Sequence, residues 1–261
     1  MDIVFGSIPV QAQTVQRTLD VYAAGSLRAA LEDVGRAFMK EHGIQVRATF
    51  GASGLLKDRI LAGESPQVFA SANMGHPAAL VAAGRVRSVL AFARNALCVL
   101  ATPSFSLQGK SLALRLLDED VKLGTSTPRA DPSGDYAFAM FDRIEASGAA
   151  GPGSAAALKA KALQLTGGPD SPLPLVRKNV YGELVATGQA DVFVTYCTNA
   201  IAARRDHGAL QVLEVPAEIN VWSRYGLALL EPAGADAQAY AQFLIGPKGQ
   251  AVLAVHGFMA P

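Results

Sequence analysis

The stretch LDVYAAGSLRAALEDVGRAFMKEHGIQVRATFGASGLLKDRI, residues 19–60, decides the fold class. Short runs rich in β-forming residues alternate in it with longer segments whose apolar residues recur every three or four positions, such as Leu31, Val34 and Phe38. Spacing of this kind is typical of a helix with one buried face. Since VFASA at residues 68–72 adds another short apolar run, the sequence predicts strand, helix, strand, helix, strand.

A second series of alternating segments follows Pro103, including VKLGTST, DYAFAMFDRIEASG and ADVFVTYC. Repeated units of this size predict a mainly parallel sheet covered by helices. We therefore expect an α/β protein of two Rossmann-like lobes joined by a two-strand hinge. The predicted boundaries place residues 19–98 and 197–261 in the first lobe and residues 99–196 in the second.

Composition excludes several classes of protein. The 261 residues carry 23 Lys and Arg against 22 Asp and Glu, and this near-zero balance gives no broad positive field for a nucleic acid. The sequence contains no run approaching the roughly 18 to 20 apolar residues that a membrane span needs. Two cysteines are too few for a disulfide framework or a structural zinc site.

Residues 1–18 predict either the end of a signal peptide or a disordered N-terminus. The run IVFGSIPVQAQ begins with apolar residues and continues with small ones, and Val10 and Ala12 have the spacing of a signal-peptidase site. The basic segment with which a signal peptide begins is missing. We expect an exported, periplasmic protein whose signal peptide is incomplete in this sequence.

Cys98 and Cys197 fall in two separate predicted strands, where the chain would pass between the lobes. The sequence allows either a disulfide across the hinge or two buried free thiols, because the bond requires Cα atoms within about 7 Å.

The usual catalytic motifs are missing. Neither H-E-x-x-H nor G-x-S-x-G occurs, and QGKS at residues 108–111 lacks the upstream glycine of a phosphate-binding loop. The sequence does not predict an enzyme. An enzyme that uses a serine or Cys197 as nucleophile is the alternative from another class.

Three serines each follow a predicted strand and begin a predicted helix: Ser26, Ser53 and Ser133. One interpretation is that each serine is an ordinary helix N-cap. The other is that the helix N-termini converge on the interlobe cleft, where free N–H groups and positive dipole ends bind an anion.

Several segments of the chain resemble the periplasmic molybdate-binding proteins of ABC importers, which have the type II periplasmic solute-binding fold. The resemblance covers about residues 19–258 and is carried by VYAAGSLRAALEDVGRAFMKEHG, FGASGLLKDRI, DPSGDYA, VYGELVATGQADVFVTYCTNA and FLIGPKGQAVLAVHGF.

The resemblance implies a ligand, a partner and five site residues. The ligand would be molybdate or tungstate, the partner would be a membrane permease, and the protein would be a monomer without a cofactor and without side chains that ligate a metal cation. Ser26 and Ser53 would donate from the first lobe, Ser133 and Val180 would donate backbone N–H groups from the second, and the Tyr196 hydroxyl would close the site. A fully ionised tetrahedral dianion has only acceptor oxygens, so neutral donors alone satisfy it.

The chain departs from that pattern at Asn73 and Asn199, where aspartates are usual, and at Ser133, where a small apolar residue is common. Asp131 and Asp135 flank the DPSG turn, and a carboxylate that faced the cleft could accept a hydrogen bond from a protonated or organic ligand. The alternative function is therefore the same scaffold with another ligand: sulfate, an organic carboxylate or a metal complex.

Overall fold

The computed structural model describes residues 17–171 and 179–261. The predicted signal-peptide remnant lies outside the described residues, except for its last two positions. The strands follow one another as β1 (Thr18–Ala24), β2 (Gln45–Gly51), β3 (Val68–Ser71), β4 (Leu90–Ala101), β5 (Leu123–Ser126), β6 (Leu163–Thr166), β7 (Val192–Tyr196), β8 (Gln211–Glu214) and β9 (Trp222–Leu229).

The helices are interleaved with the strands, as the sequence predicts for an α/β protein. They are α1 (Arg28–His42), α2 (Ser53–Leu61), α3 (Gly75–Ala82), α4 (Leu112–Leu117), α5 (Pro132–Ala146), α6 (Ser154–Lys161), α7 (Val180–Ala186), α8 (Cys197–Asp206), α9 (Ala235–Ile245) and α10 (Pro247–Val255). Within the described ranges, none of these helices is long and apolar enough to cross a membrane.

The strands form one continuous sheet in the order β2-β1-β3-β9-β4-β7-β5-β6, with β8 also paired to β4. Strand β1 is parallel to β2 and β3, and β5 is parallel to β6 and β7. Strands β4 and β9 run antiparallel to their neighbours, so the sheet is less parallel than the sequence predicts. We call β1, β2, β3 and β9 with their helices the first half, and β5 to β8 with theirs the second half.

Strand β4 belongs to both halves. Its residues up to Ala96 pair with β9, and its residues from Leu97 onward pair with β7. The chain returns beside it near Asn220, whose side-chain amide accepts from the Leu97 N–H at 3.1 Å and donates to the Leu97 carbonyl at 3.0 Å. Two extended segments therefore lie side by side where the halves meet.

The lobe boundaries stay a prediction. The start of the second lobe at residue 99 is close to the place where β4 changes partner. Strand β8, however, pairs with the Cys98–Ala101 part of β4, and α8 packs against α7. We propose that the second crossing lies near Asn220 rather than at Cys197.

Local packing explains why these elements form where the sequence predicts them. In α1 the periodic residues Leu31, Val34 and Phe38 are buried against the sheet. The helix ends at Gly43, whose φ of 66° is the left-handed conformation that glycine adopts without strain. Buried residues of both halves join in one large apolar cluster, and two smaller clusters lie beside it.

The two cysteines form a disulfide, with Cα atoms 4.7 Å apart. Cys98 lies in β4, one residue beyond the change of partner, and Cys197 begins α8 immediately after β7. Of the two alternatives that the sequence leaves open, the structure selects the disulfide.

Candidate functional site

Two of the predicted serines lie where neighbouring parallel strands of the first half end. Ser26 is in the 3₁₀ turn Gly25–Leu27 that follows β1, and Ser53 is the first residue of α2, shortly after β2. Ala24 lies opposite Gly51 in the register of these strands, so both segments leave the sheet at the same edge. Ligands of open α/β sheets bind outside the carboxyl ends of the strands.

The other three predicted residues lie at the corresponding edge of the second half. Ser133 is the second residue of α5, Val180 begins α7, and Tyr196 is the last residue of β7. Strand β5 pairs in parallel with β6 on one side and β7 on the other, so the segments that follow these strands leave the sheet together.

A buried network around Ala72, the residue after β3, links the two halves. Its N–H donates to Ser53 Oγ at 3.1 Å, and its carbonyl accepts from Tyr196 Oη at 3.3 Å and from Ser223 Oγ at 2.6 Å. A serine of the first half and the tyrosine of the second therefore contact the backbone of the same residue.

Tyr225 connects Ser26 to the same network. Its hydroxyl lies 2.9 Å from Ser26 Oγ and accepts from Asn95 Nδ2 at 3.3 Å, while its ring centroid is 5.6 Å from that of Tyr196. The sequence predicts only a strand for VWSRYGLALL and gives no sign of this role. Because Tyr225 is 199 residues from Ser26, no local motif could have revealed it.

A second polar cluster surrounds the start of α5 and α7. Ser133 Oγ lies 3.4 Å from Thr195 Oγ1, which accepts from Asn199 Nδ2 at 3.0 Å. Asn179, the residue before Val180, donates to the Asn199 carbonyl at 3.4 Å. Thr195 of this cluster is the residue before Tyr196 in β7, which joins the cluster to the network around Ala72. All five predicted residues therefore lie in one connected region.

The interpretation of the three serines as helix N-caps is wrong. The N-caps of α1, α2 and α5 are Leu27, Ala52 and Asp131. The hydroxyls of Ser26, Ser53 and Ser133 therefore do not accept hydrogen bonds from backbone N–H groups in the first turn of their own helices. The sequence signal for the α5 cap was the Asp-Pro pair, since proline favours the first helical position.

Asp131 places a carboxyl group at the start of α5. Its Oδ1 accepts from the Ser133 N–H at 3.0 Å, which is the backbone donor that the resemblance assigns to the ligand. Burial raises the pKa of Asp131 to about 6, against the lowering effects of that hydrogen bond and of the Ser126 hydroxyl. A titratable group therefore lies beside the predicted donor Ser133, where the sequence leads us to expect neutral donors alone.

Burial also raises the pKa of the tyrosine hydroxyls in the network. For Tyr196 the main cause is desolvation, followed by the neighbouring Tyr225, and for Tyr225 it is again desolvation. Both hydroxyls therefore stay protonated at any physiological pH. The Tyr196 proton is donated to the Ala72 carbonyl here, so a hydrogen bond from Tyr196 to an anion would replace that one.

The two halves touch directly beside this network. The Gly54 N–H, in the first turn of α2, donates to the Ala130 carbonyl of the second half at 2.8 Å. A Cβ at Gly54 would lie 2.5 Å from that oxygen and 2.6 Å from the Arg129 carbonyl. The contact therefore requires glycine.

The described residues contain no cluster of three or more His, Cys, Asp or Glu side chains that could hold a metal ion. The two asparagines that replace expected aspartates make local contacts. Asn73 accepts from the His76 N–H at 3.0 Å near the start of α3, and Asn199 supports Thr195 as described above.

Comparison with known proteins identifies relatives over nearly the whole described chain. Residues 19–259 match the family described as bacterial extracellular solute-binding protein. An uncharacterized protein of Pasteurella multocida (strain Pm70) is 37% identical over 209 residues, which are 80% of this chain and 85% of that protein. The molybdate-binding protein ModA of Escherichia coli (strain K12) is 25% identical over 248 residues, 92% of this chain and 88% of that protein.

Among solved structures, the sulfate-binding protein SubI of Mycobacterium tuberculosis H37Rv has a TM-score of 0.76 and 18% identity, with coverage of 94% of this chain and 87% of that one. At this identity the similarity concerns the fold, which is that of a periplasmic binding protein.

Proposed function

The chain belongs to the family of bacterial extracellular solute-binding proteins, and from this premise we propose that it binds molybdate or tungstate in the cleft between its halves. Proteins of this family bind a small ligand and work with a membrane permease, they are normally periplasmic, and they are generally not enzymes. We further propose that this chain is an exported monomer that delivers its ligand to the permease of an ABC importer.

One observation carries the proposal. Ser53 and Tyr196, from opposite halves, both contact Ala72, and Ser26 joins them through Tyr225. These side chains supply hydroxyl groups, and the starts of α2 and α7 supply backbone N–H groups close by, while the Ser133 N–H of α5 is held by Asp131. A tetrahedral dianion needs several such donors at once, because all its oxygens are acceptors.

Binding would proceed by closure of the halves around the ligand. Contacts to an anion from Ser26 and Ser53 are available in an open molecule, whereas those from Ser133, Val180 and Tyr196 form only when the second half approaches. The ligand therefore stabilises the closed state by the difference in its affinity for the two states. The permease would recognise that closed state.

The Tyr196→Phe variant tests the assignment of the closing hydroxyl. A hydrogen bond to a charged group contributes about 2 kcal/mol, so we expect roughly thirtyfold weaker binding of molybdate. Isothermal titration calorimetry measures the change. Tyr240→Phe is the matched control, because Tyr240 is equally buried but lies in α9, and its hydroxyl has no hydrogen-bond partner among the described residues. Equal affinities of wild type and Tyr196→Phe would contradict the assignment.

Thermal unfolding with molybdate, tungstate, sulfate and phosphate tests the function itself. A ligand at about 100 times its dissociation constant adds roughly 2.7 kcal/mol to the free energy of unfolding, which raises the melting temperature by several degrees. We expect a rise with molybdate and tungstate. No rise with any of the four anions would reject an inorganic oxyanion as the ligand.

The alternative is that the same cleft binds sulfate, an organic carboxylate or a metal complex. Within this alternative, the Asp131 carboxyl at the start of α5 favours an organic ligand with a hydroxyl group, because a carboxylate accepts a hydrogen bond from such a group and repels a dianion, sulfate included. A rise with sulfate alone, or with organic acids alone, would support this alternative.

A further inference from the structure

We propose that anion binding in this cleft is coupled to protonation of Asp131, so that the protein takes up one proton when a fully ionised oxyanion binds. The inference rests on the proposed function and specifies how the same site is regulated.

The first observation is a competition for one donor. Asp131 Oδ1 accepts from the Ser133 N–H at 3.0 Å, and the backbone N–H at this position is a proposed ligand donor. The Asp131 carboxylate therefore already accepts from the N–H that a bound anion would use. A dianion that approaches the same helix end meets a negative charge that competes for the N–H and repels it.

The second observation is an unsatisfied hydroxyl beside Asp131. Ser126, the last residue of β5, is fully buried, and its Oγ has no hydrogen-bond partner among the described residues. It is nevertheless close enough to lower the pKa of the Asp131 carboxyl. A protonated carboxyl carries no charge that repels a dianion, and its O–H can donate to the ligand or to Ser126.

The surroundings of Asp131 favour uptake of a proton. Asp135 on its own helix raises the pKa of Asp131. Asp131 in turn raises the pKa of three buried tyrosines that face it, Tyr181 on α7, Tyr196 at the end of β7 and Tyr225 on β9. His76 of α3 also interacts with Asp135, but its own burial lowers its pKa. In the described part of the chain, no ion pair neutralises Asp131, so protonation is what removes the carboxylate charge when a dianion binds beside it.

The sign of the effect follows from the burial of the carboxyl group. The pKa of Asp131 is about 6 in the folded protein against 3.8 for the ordinary side chain, so most molecules carry the carboxylate at pH 7 and above. If only the protonated form accepts a dianion, the measured affinity equals the affinity of that form multiplied by the fraction of molecules that are protonated. We expect the affinity for molybdate to fall about tenfold for each pH unit from roughly pH 6.5 to 8.5.

Asp131→Asn removes the titration and keeps the helix cap, because asparagine is as good an N-cap as aspartate. We expect this variant to bind molybdate with an affinity that is nearly independent of pH and, at about pH 8, up to roughly a hundredfold tighter than wild type. Calorimetry in buffers of different ionisation enthalpy should show uptake of nearly one proton by wild type and none by Asp131→Asn. The matched control is Asp135→Asn, which removes the same charge four residues further along α5. It should keep the dependence on pH and the proton uptake but shift both to slightly lower pH, because Asp135 raises the pKa of Asp131.

A second measurement needs no ligand. The folded pKa of Asp131 exceeds its unfolded value, so the stability that comes from its protonated form is present below about pH 3.8 and is lost as the pH rises to about 6. Asp131→Asn should therefore melt above wild type at pH 8 and close to it at pH 4, whereas superimposed melting curves at both values would overturn the placement of the carboxyl group.

The outcomes separate the inference from the proposed function. Molybdate binding with equal pH dependence in wild type and Asp131→Asn, and without proton uptake, would overturn the coupling and leave oxyanion binding in place. Binding by Asp131→Asn alone at pH 8 would support both. Absence of molybdate binding by either protein between pH 6.5 and 8.5 would reject the proposed function, and the coupling with it.

Discussion

Reduction of the Cys98–Cys197 disulfide should lower the melting temperature of the protein by about 10 °C, the largest change in stability that we expect from any single bond. The two cysteines are 99 residues apart in the sequence, so the bond closes a long loop in the unfolded chain. Closing a loop of this length removes chain entropy equivalent to roughly 4 to 5 kcal/mol, and reduction returns it.

The position of the disulfide gives its loss a local consequence as well. Cys98 follows the point where β4 passes from one half to the other, and Cys197 is the residue after Tyr196. The bond therefore holds the end of β7, with its proposed ligand-binding hydroxyl, against the segment that connects the halves. We expect reduction to weaken ligand binding less than it weakens stability, because β4 and β7 remain paired along five residues each.

Scanning calorimetry with and without dithiothreitol measures the effect, and thiol titration verifies that the bond is broken. The Cys98→Ser, Cys197→Ser double variant is the control, since its melting temperature should be low from the start and unaffected by the reductant. Equal melting temperatures of the fully reduced and the oxidised wild-type protein would contradict the expectation.

The sequence predicted the elements of the first half well because the information there is local. Periodic residues such as Leu31 and Phe38 define the buried face of α1, and Gly43 marks its end. The same stretch placed Ser26 and Ser53 after strands that proved to be parallel neighbours. Sequence spacing is sufficient for such features because each depends on a few consecutive residues.

Features that depend on long-range pairing could not be predicted in this way. The antiparallel direction of β9 is set by its pairing with β3 and β4, which are more than a hundred residues earlier in the chain. The hydrogen bond between Tyr225 and Ser26 has the same origin. Asp131 is an intermediate case: its cap position was readable from the Asp-Pro pair, but the burial that raises its pKa comes from packing between distant strands and helices.

Replacement of Gly54 by alanine should reduce the affinity for molybdate by more than a hundredfold while leaving the unliganded protein folded. The added Cβ would lie 2.5 Å and 2.6 Å from two carbonyl oxygens of the opposite half, those of Ala130 and Arg129. Heavy atoms do not approach so closely, and both partners are backbone atoms that cannot rotate away. Overpacking of this severity destabilises the closed arrangement by about 3 kcal/mol, and loss of the Gly54 N–H bond to Ala130 adds to it.

The cost falls on closure rather than on folding, because the halves can relieve the clash by moving apart. Titration calorimetry gives the affinity, and small-angle scattering shows whether molybdate still makes the molecule more compact. Gly208→Ala is the matched control, since a Cβ there meets no atom within 4 Å. Unchanged affinity of Gly54→Ala would mean that ligand binding does not require this contact. Loss of both affinity and compaction would mean that ligand binding depends on the contact between α2 and the turn before α5. The Asp131 carboxyl group lies at the same place.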